Sequence, residues 1–222
     1  MAIVLACTPL VAACDDRVNE AAEYAAMGAA QLEAGNLQEA RENAQRAIIA
    51  RDDVADYFVL LGRIELQDGK LPSAFNAYSR ALDLQADNLE ILQAIAELGL
   101  QAGRLSEAEE AADRMLLLFP GALRAMLVKG FLAIEAGQLE DAERYANDIL
   151  AQDPNDEGGV ILTARLLALR GNFESAVNTV LRTRDVVGDT EALNATLLEI
   201  YRAQGNALGM RAQFPKVIAA AG

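Results

Sequence analysis

The sequence predicts an all-α solenoid of helical hairpins, and three observations carry that prediction. Glycine stands at Gly35, Gly69, Gly103, Gly137, Gly171 and Gly205, one every thirty-four residues, and 16 Gly in 222 residues do not fall into such a register by accident. Each glycine separates two amphipathic runs of helical length. In the stretch from Ala55 to Asn88, ADYFVLLGRIELQDGKLPSAFNAYSRALDLQADN, the runs cover about Asp56 to Asp68 and Leu71 to Leu84 and hinge at Gly69. A period of this length marks a unit that cannot bury its apolar face alone and does so by stacking on its neighbours.

Composition narrows the function before any motif is read. A formal charge of -14 repels phosphate backbones and gives no counterion-release drive for nucleic acid. There is no His and no Trp, and both cysteines, Cys7 and Cys14, lie near the amino terminus. A zinc site, a His general base and a Cys/His pair are thereby excluded, and no cofactor is implied. No apolar run reaches the roughly eighteen residues of a membrane-spanning helix.

The first element, residues 1–20, reads MAIVLACTPLVAACDDRVNE, an uncharged apolar run that ends at Asp15 and Asp16. Ile3 to Ala13 has the length of a signal-peptide apolar core. Val11, Ala12, Ala13 and Cys14 together resemble the lipobox of bacterial lipoproteins, a resemblance that implies acylation of Cys14, removal of Cys7 with the leader, and an inner-membrane retention signal at Asp15. The pattern departs from that family in having no Lys or Arg before the apolar run. The alternative is an apolar cap helix on the first repeat, against which Pro9 weighs because proline inside a helix removes a backbone hydrogen bond. A disulfide between Cys7 and Cys14 would staple little.

Aligned on the hinge glycines, the repeats run over residues 21–54, 55–88, 89–122, 123–156, 157–190 and a degenerate 191–222. A first small position holds Gly28, Gly62, Ala96, Gly130 and Ala164, and a second holds Ala40, Ala74, Ala108, Ala142 and Ala176; Leu198 and Met210 break the two series. Leu37, Leu71, Leu105, Leu139 and Phe173 follow each hinge by two residues and open the second helix, while Pro120 and Pro154 stop a helix in the loop. These columns resemble the tetratricopeptide repeat (TPR) family over about nine tenths of the chain. The family's aromatic positions survive mainly as Tyr24, Phe58 and Tyr78. In the sixth repeat Gly209 and Pro215 are expected to break the second helix, and Phe214, Val217 and Ile218 leave an apolar end suited to folding back, to a second copy, or to a longer protein.

Membership would imply a right-handed α-solenoid of TPR helix-turn-helix repeats whose first helices line a concave groove. The family's groove columns carry over to Val59, Arg63 and Leu66; to Gln93, Glu97 and Leu100; to Arg124, Leu127, Phe131 and Ile134; and to Ile161 and Arg165. This mixture of apolar and charged residues suits an extended peptide or a partner helix. Arg63, Arg124 and Arg165 are expected to pair with Glu97 or to meet carboxylates of a partner. The carboxylate clamp of chaperone-binding members is absent, since Ala25, Ala29, Arg63, Gln93 and Glu97 stand at its columns. Acidic residues crowd the second helices, as in Glu107, Glu109 and Glu110, which suits a solvated outer face.

The resemblance implies a non-catalytic scaffold with a protein or peptide partner, no nucleic acid, and a membrane contact only through the lipid on Cys14. Its place would be the periplasm-facing bacterial envelope, serving an assembly or export system, with self-association through the carboxyl-terminal end as a further expectation. The alternatives are a cytoplasmic adaptor, and the TPR portion of a larger protein.

Overall fold

A computed structural model describes the backbone of residues 10–220, with side chains from Arg17 onward except Phe214 and those beyond Val217. The readings that fall on Met1, Ile3, Cys7 and Pro9, and on any continuation past Gly222, lie outside the described residues, as do the side chains of Cys14, Phe214 and Ile218. Among the described residues twelve α-helices follow one another without a strand. They are α1 (Leu10–Glu33), α2 (Leu37–Ala50), α3 (Ala55–Gln67), α4 (Leu71–Leu84), α5 (Leu89–Gln101) and α6 (Leu105–Leu118), then α7 (Leu123–Glu135), α8 (Leu139–Gln152), α9 (Glu157–Leu169), α10 (Phe173–Val187), α11 (Glu191–Gln204) and α12 (Ala207–Ala220). Each odd-numbered helix packs on the even-numbered helix that follows it. The chain divides into two compact units, one ending at Leu118 and one beginning at Phe119.

The hinge glycines do what their spacing implies. All six adopt φ between 70° and 79°, the left-handed conformation that strains any residue with a Cβ. At Gly69 the glycine N–H donates to Leu66 O at 3.0 Å and the Lys70 N–H to Glu65 O at 2.8 Å, and the same pair of bonds recurs at the other five hinges. This closure satisfies the carbonyls that a helix end leaves without partners. A Cβ at Gly69 would meet nothing within 4 Å, so the glycine is there for its backbone freedom alone.

Helix pairs approach closely because both facing positions are small. Ala40, Ala74, Ala108, Ala142 and Ala176 are each 0% exposed. Opposite them, a Cβ on Gly62 would lie 2.7 Å from the Tyr78 ring, and one on Gly130 would lie 2.3 Å from Leu162 Cδ2. Where the small series fails at Met210, the close approach falls on its neighbour Gly209, which lies under Tyr201, whose ring would stand 2.6 Å from an added Cβ.

At the amino-terminal end the first helix runs over 24 residues from Leu10, so the backbone of Val11 to Cys14 is continuous with the first hairpin; Ala21 is its first buried residue among the described side chains. At the other end one expectation is corrected. The last helix is not broken, for α12 runs through both Gly209 and Pro215. Gly209 sits in its first turn, where its N–H donates to Asn206 Oδ1 at 2.9 Å in place of a helical partner. The buried Gln213 side chain donates to Asn194 Oδ1 and ties α12 to α11.

Junctions between successive hairpins use one register position with different chemistry. In the first, Arg41 on α2 meets Glu65 at 2.6 Å and Asp68 at 2.5 Å, and Lys70 meets Asp68 at 2.8 Å. One repeat on, Phe75 replaces that arginine and lies under the Arg104 guanidinium, whose carbon is 4.5 Å from the ring centroid. In the second unit Glu143 takes the same position and meets Arg170 at 2.7 Å, with the charges reversed. Lys70 and, next, Arg41 hold the Asp68 carboxyl below its ordinary range. A depressed carboxyl stabilises the fold above the unfolded-state pKa and loses that contribution as pH falls through the folded value. Asp68→Asn is therefore expected to destabilise the chain at neutral pH, with a gap to wild type in urea midpoint that holds down to about pH 4 and closes below it. A gap that persists at lower pH would show that the carboxylate's charge is not the cause.

Candidate functional site

Among odd-numbered helices α1 lies beside α3 and α9 beside both α7 and α11, while α3 and α5 are joined through Arg63 and Glu90. Their shared face carries most of the residues that the sequence nominates. On α3, Arg63 is exposed and Leu66 is 42% exposed. Gln93, Glu97 and Leu100 on α5 are half-buried, as are Leu127, Phe131 and Ile134 on α7 and Arg165 on α9; Arg124 is exposed. Val59 and Ile161 are the departures, at 8% and 9% exposure. Ile161 belongs to a core cluster with Val180, Leu193 and Leu197, so both residues offer packing and little surface.

The charges on this face pair differently from the sequence expectation. Arg63 donates to Glu90 across α3 and α5, and that carboxylate raises the arginine above its ordinary value. Arg165 donates from Nε and Nη2 to both oxygens of Glu199 on α11, each at 3.1 Å. Its guanidinium also lies 5.1 Å from the Phe131 ring centroid. A guanidinium stacked on one side and forked to a carboxylate on the other has its geometry fixed. Arg124 makes no ion pair among the described residues, and neither does Glu97, whose carboxylate accepts from Gln93 Nε2 at 3.0 Å.

Phe131 has a double role. Half-buried, it packs against the cluster around Val160 and Leu197 and against that around Ala142 and Leu162. Leu127 reaches the next helix because Gly158 has no side chain; a Cβ there would lie 2.4 Å from Leu127 Cδ2. Three features escaped the sequence reading. Glu199 was legible in principle, since it follows Arg165 by one thirty-four-residue repeat. Glu90 follows Arg63 by twenty-seven, a spacing shared by Asp87 with Arg114 and by Arg41 with Asp68, and only the structure reveals that this offset joins neighbouring hairpins. The third is a cleft of about 410 Å³ between α4 and α6, floored by Phe75, Leu92 and Ile95. Its arginines are already engaged, Arg104 on Phe75 and Arg114 with Asp87 at 2.6 Å.

Among the described residues no group of His, Cys, Asp and Glu is placed to hold a metal ion, and no helix is long and apolar enough to cross a membrane.

Comparison with known proteins bears on the fold directly. Family models described as Tetratricopeptide repeat match residues 25–88, 65–129 and 133–200. A tetratricopeptide repeat protein from Parabacteroides merdae superposes with a TM-score of 0.73 at 21% identity, covering 91% of this chain and 80% of its own. PilW, described as a widely conserved type IV pilus biogenesis factor, gives 0.69 at 18% identity over 91% of this chain and 98% of its own. YrrB, described as a TPR protein with an unusual peptide-binding site, gives 0.65 at 16% identity over 85% and 97%. No curated protein matches the chain in sequence.

The position of Phe131 between two clusters has a measurable consequence. Phe131→Ala is expected to lower folding stability by about 1–3 kcal/mol, below the roughly 3–5 kcal/mol of a fully buried phenylalanine, because the ring is only half-buried. Thermal and urea denaturation of the purified chain read this out; an unchanged melting temperature would mean that the ring serves the surface alone.

Proposed function

The chain belongs to the tetratricopeptide repeat family, and from that membership we propose that its odd-helix faces hold an extended peptide or a partner helix, making it a non-catalytic interaction scaffold. The observation that carries the reading is the face itself. Leu66, Leu100, Leu127, Phe131 and Ile134 stand partly open to solvent, interleaved with Arg63, Glu97, Arg124 and Arg165. Apolar surface gives affinity and the interleaved charges give register, which is how grooves read peptides. Leu66 is the most useful probe, since at 42% exposure it can change without a cost to the core. Affinity capture from the native organism should recover a partner with wild type and with Ile49→Asn, on the even-helix side at 84% exposure, and lose it with Leu66→Asn. Equal recovery by both variants would remove the odd-helix face from consideration.

The second part of the proposal is a tether. Val11, Ala12, Ala13 and Cys14 support acylation at Cys14, and with it a place in the bacterial envelope assisting an assembly or export system. PilW shares the fold at 18% identity, and its pilus role stays its own. One observation favours the cytoplasmic adaptor instead, namely that α1 is continuous from Leu10 into the first hairpin, as a packed cap helix would be. Mass spectrometry of the protein from its native cells separates the two. A mature chain starting at Cys14 with a diacylglycerol adduct is the expected result, and an intact amino terminus with unmodified Cys14 overturns the tether.

A further inference from the structure

We propose that Glu97 receives a lysine or arginine side chain from the bound segment, so that the odd-helix face of the first unit selects a basic, apolar-bearing peptide. The inference rests on the reading of that face as the binding surface. Its starting point is one register position, occupied at thirty-four-residue intervals by Arg63, Glu97, Phe131, Arg165 and Glu199. Three of the four charged members are neutralised within the chain, Arg63 by Glu90, and Arg165 and Glu199 by each other. Glu97 is the exception.

Among the described residues no cation pairs with Glu97, and its hydrogen bond from Gln93 Nε2 at 3.0 Å comes from a neutral amide. It is half-buried, unlike most acids among the described residues, which are exposed. A carboxylate partly withdrawn from water gains most from a charged donor, because hydrogen bonds to ionised groups are the stronger ones. Leu100 lies one turn further along α5 and Leu66 is exposed on α3, so apolar surface is at hand for the stem of a long basic side chain or for its apolar neighbours.

The wider field acts in the same sense. Residues 1–118 hold 20 Asp and Glu against 9 Lys and Arg, and so carry most of the formal charge of -14. Such a field speeds the approach of a cationic segment and disfavours an acidic one. Long-range attraction alone would not single out one residue. Removing one acid of 33 barely alters the field, so a large effect from a single neutral substitution identifies a local contact.

The test uses two synthetic amphipathic peptides with the same apolar residues, one with lysine and one with glutamate at every polar position. Fluorescence anisotropy with the full chain is expected to show binding of the lysine peptide only. Glu97→Gln should weaken it about tenfold, equivalent to about 1.4 kcal/mol. Glu42→Gln is the control: that carboxylate also accepts from a glutamine four residues away, Gln38 at 2.9 Å, but stands exposed on α2, and its loss should change nothing. Leu66→Asn should weaken binding independently of charge. Loss with Leu66→Asn but not with Glu97→Gln overturns the role of Glu97 and leaves the face as the binding surface. Full-strength binding by both variants, or tighter binding of the glutamate peptide, overturns the inference, and the first of these results takes the reading of the face with it.

Discussion

Close approach of two helices at paired small residues is the constraint on which the rest of this chain depends. Five alanines on the even-numbered helices are completely buried, and where a glycine faces them from the odd-numbered helix a Cβ would collide with a neighbouring ring or leucine. Helices that approach this closely must also reverse direction within a few residues, and the left-handed glycine with its paired backbone bonds does that at each hinge. With spacing and reversal both set by the backbone, the exposed side chains of the odd-helix face, such as Arg63 and Leu66, carry little of the folding burden, while Phe131 packs on two clusters. That face is consequently where residue identity is free to vary from repeat to repeat.

The junction position shows how much freedom that leaves even inside the packing. Arg41, Phe75 and Glu143 are equivalent by register, yet one anchors an ion-pair cluster, one lies under a guanidinium, and one accepts from Arg170. Reversing the charges between the first and fourth repeats preserves a pair only because both partners changed together. Each junction therefore recognises its own neighbour, and hairpins are not interchangeable. The exposed pair of Glu143 with Arg170 adds little by itself, and in the largely buried pair of Arg41 with Glu65 the desolvation of both charges offsets much of their attraction, so the value of both lies in the pairing they enforce more than in net stability.

What was legible in the sequence follows from what the backbone dictates. The hinge glycines and the buried alanines recur at a fixed spacing, and the spacing alone fixed the hairpins; the start of α4 at Leu71 is read directly from Gly69. Features set by side-chain reach were not legible. Val59 and Ile161 sit at groove columns yet are buried, Ile161 within the cluster of Val180, Leu193 and Leu197, which depends on what the neighbouring helix places over them. Nor could propensity anticipate α12: Pro215 predicts a break, but Asn206 caps the helix, Gly209 fits beneath Tyr201, and Gln213 is held by Asn194, so tertiary contacts override a local penalty of about 3 kcal/mol. Pairings across hairpins, such as Arg63 with Glu90, needed the three-dimensional offset between neighbouring helices, which no single repeat contains.

The register shared by Arg63, Glu97, Phe131, Arg165 and Glu199 gathers these strands. A backbone that repeats places these five at the same point of successive units, and the sequence then decides whether each is spent internally or left for a partner. In the second unit the position is closed: Phe131, Arg165 and Glu199 stack and pair in order, forming a neutral, ordered strip suited to apolar contact. In the first unit it is only half closed, since Glu90 takes Arg63 and leaves Glu97 with a glutamine. At this register position the two units thus differ by one carboxylate left without a cation, and a scaffold built this way obtains selectivity without altering its fold. Because pairing within the chain competes with pairing to a partner, the residue that the chain leaves unpaired marks where an outside charge gains most.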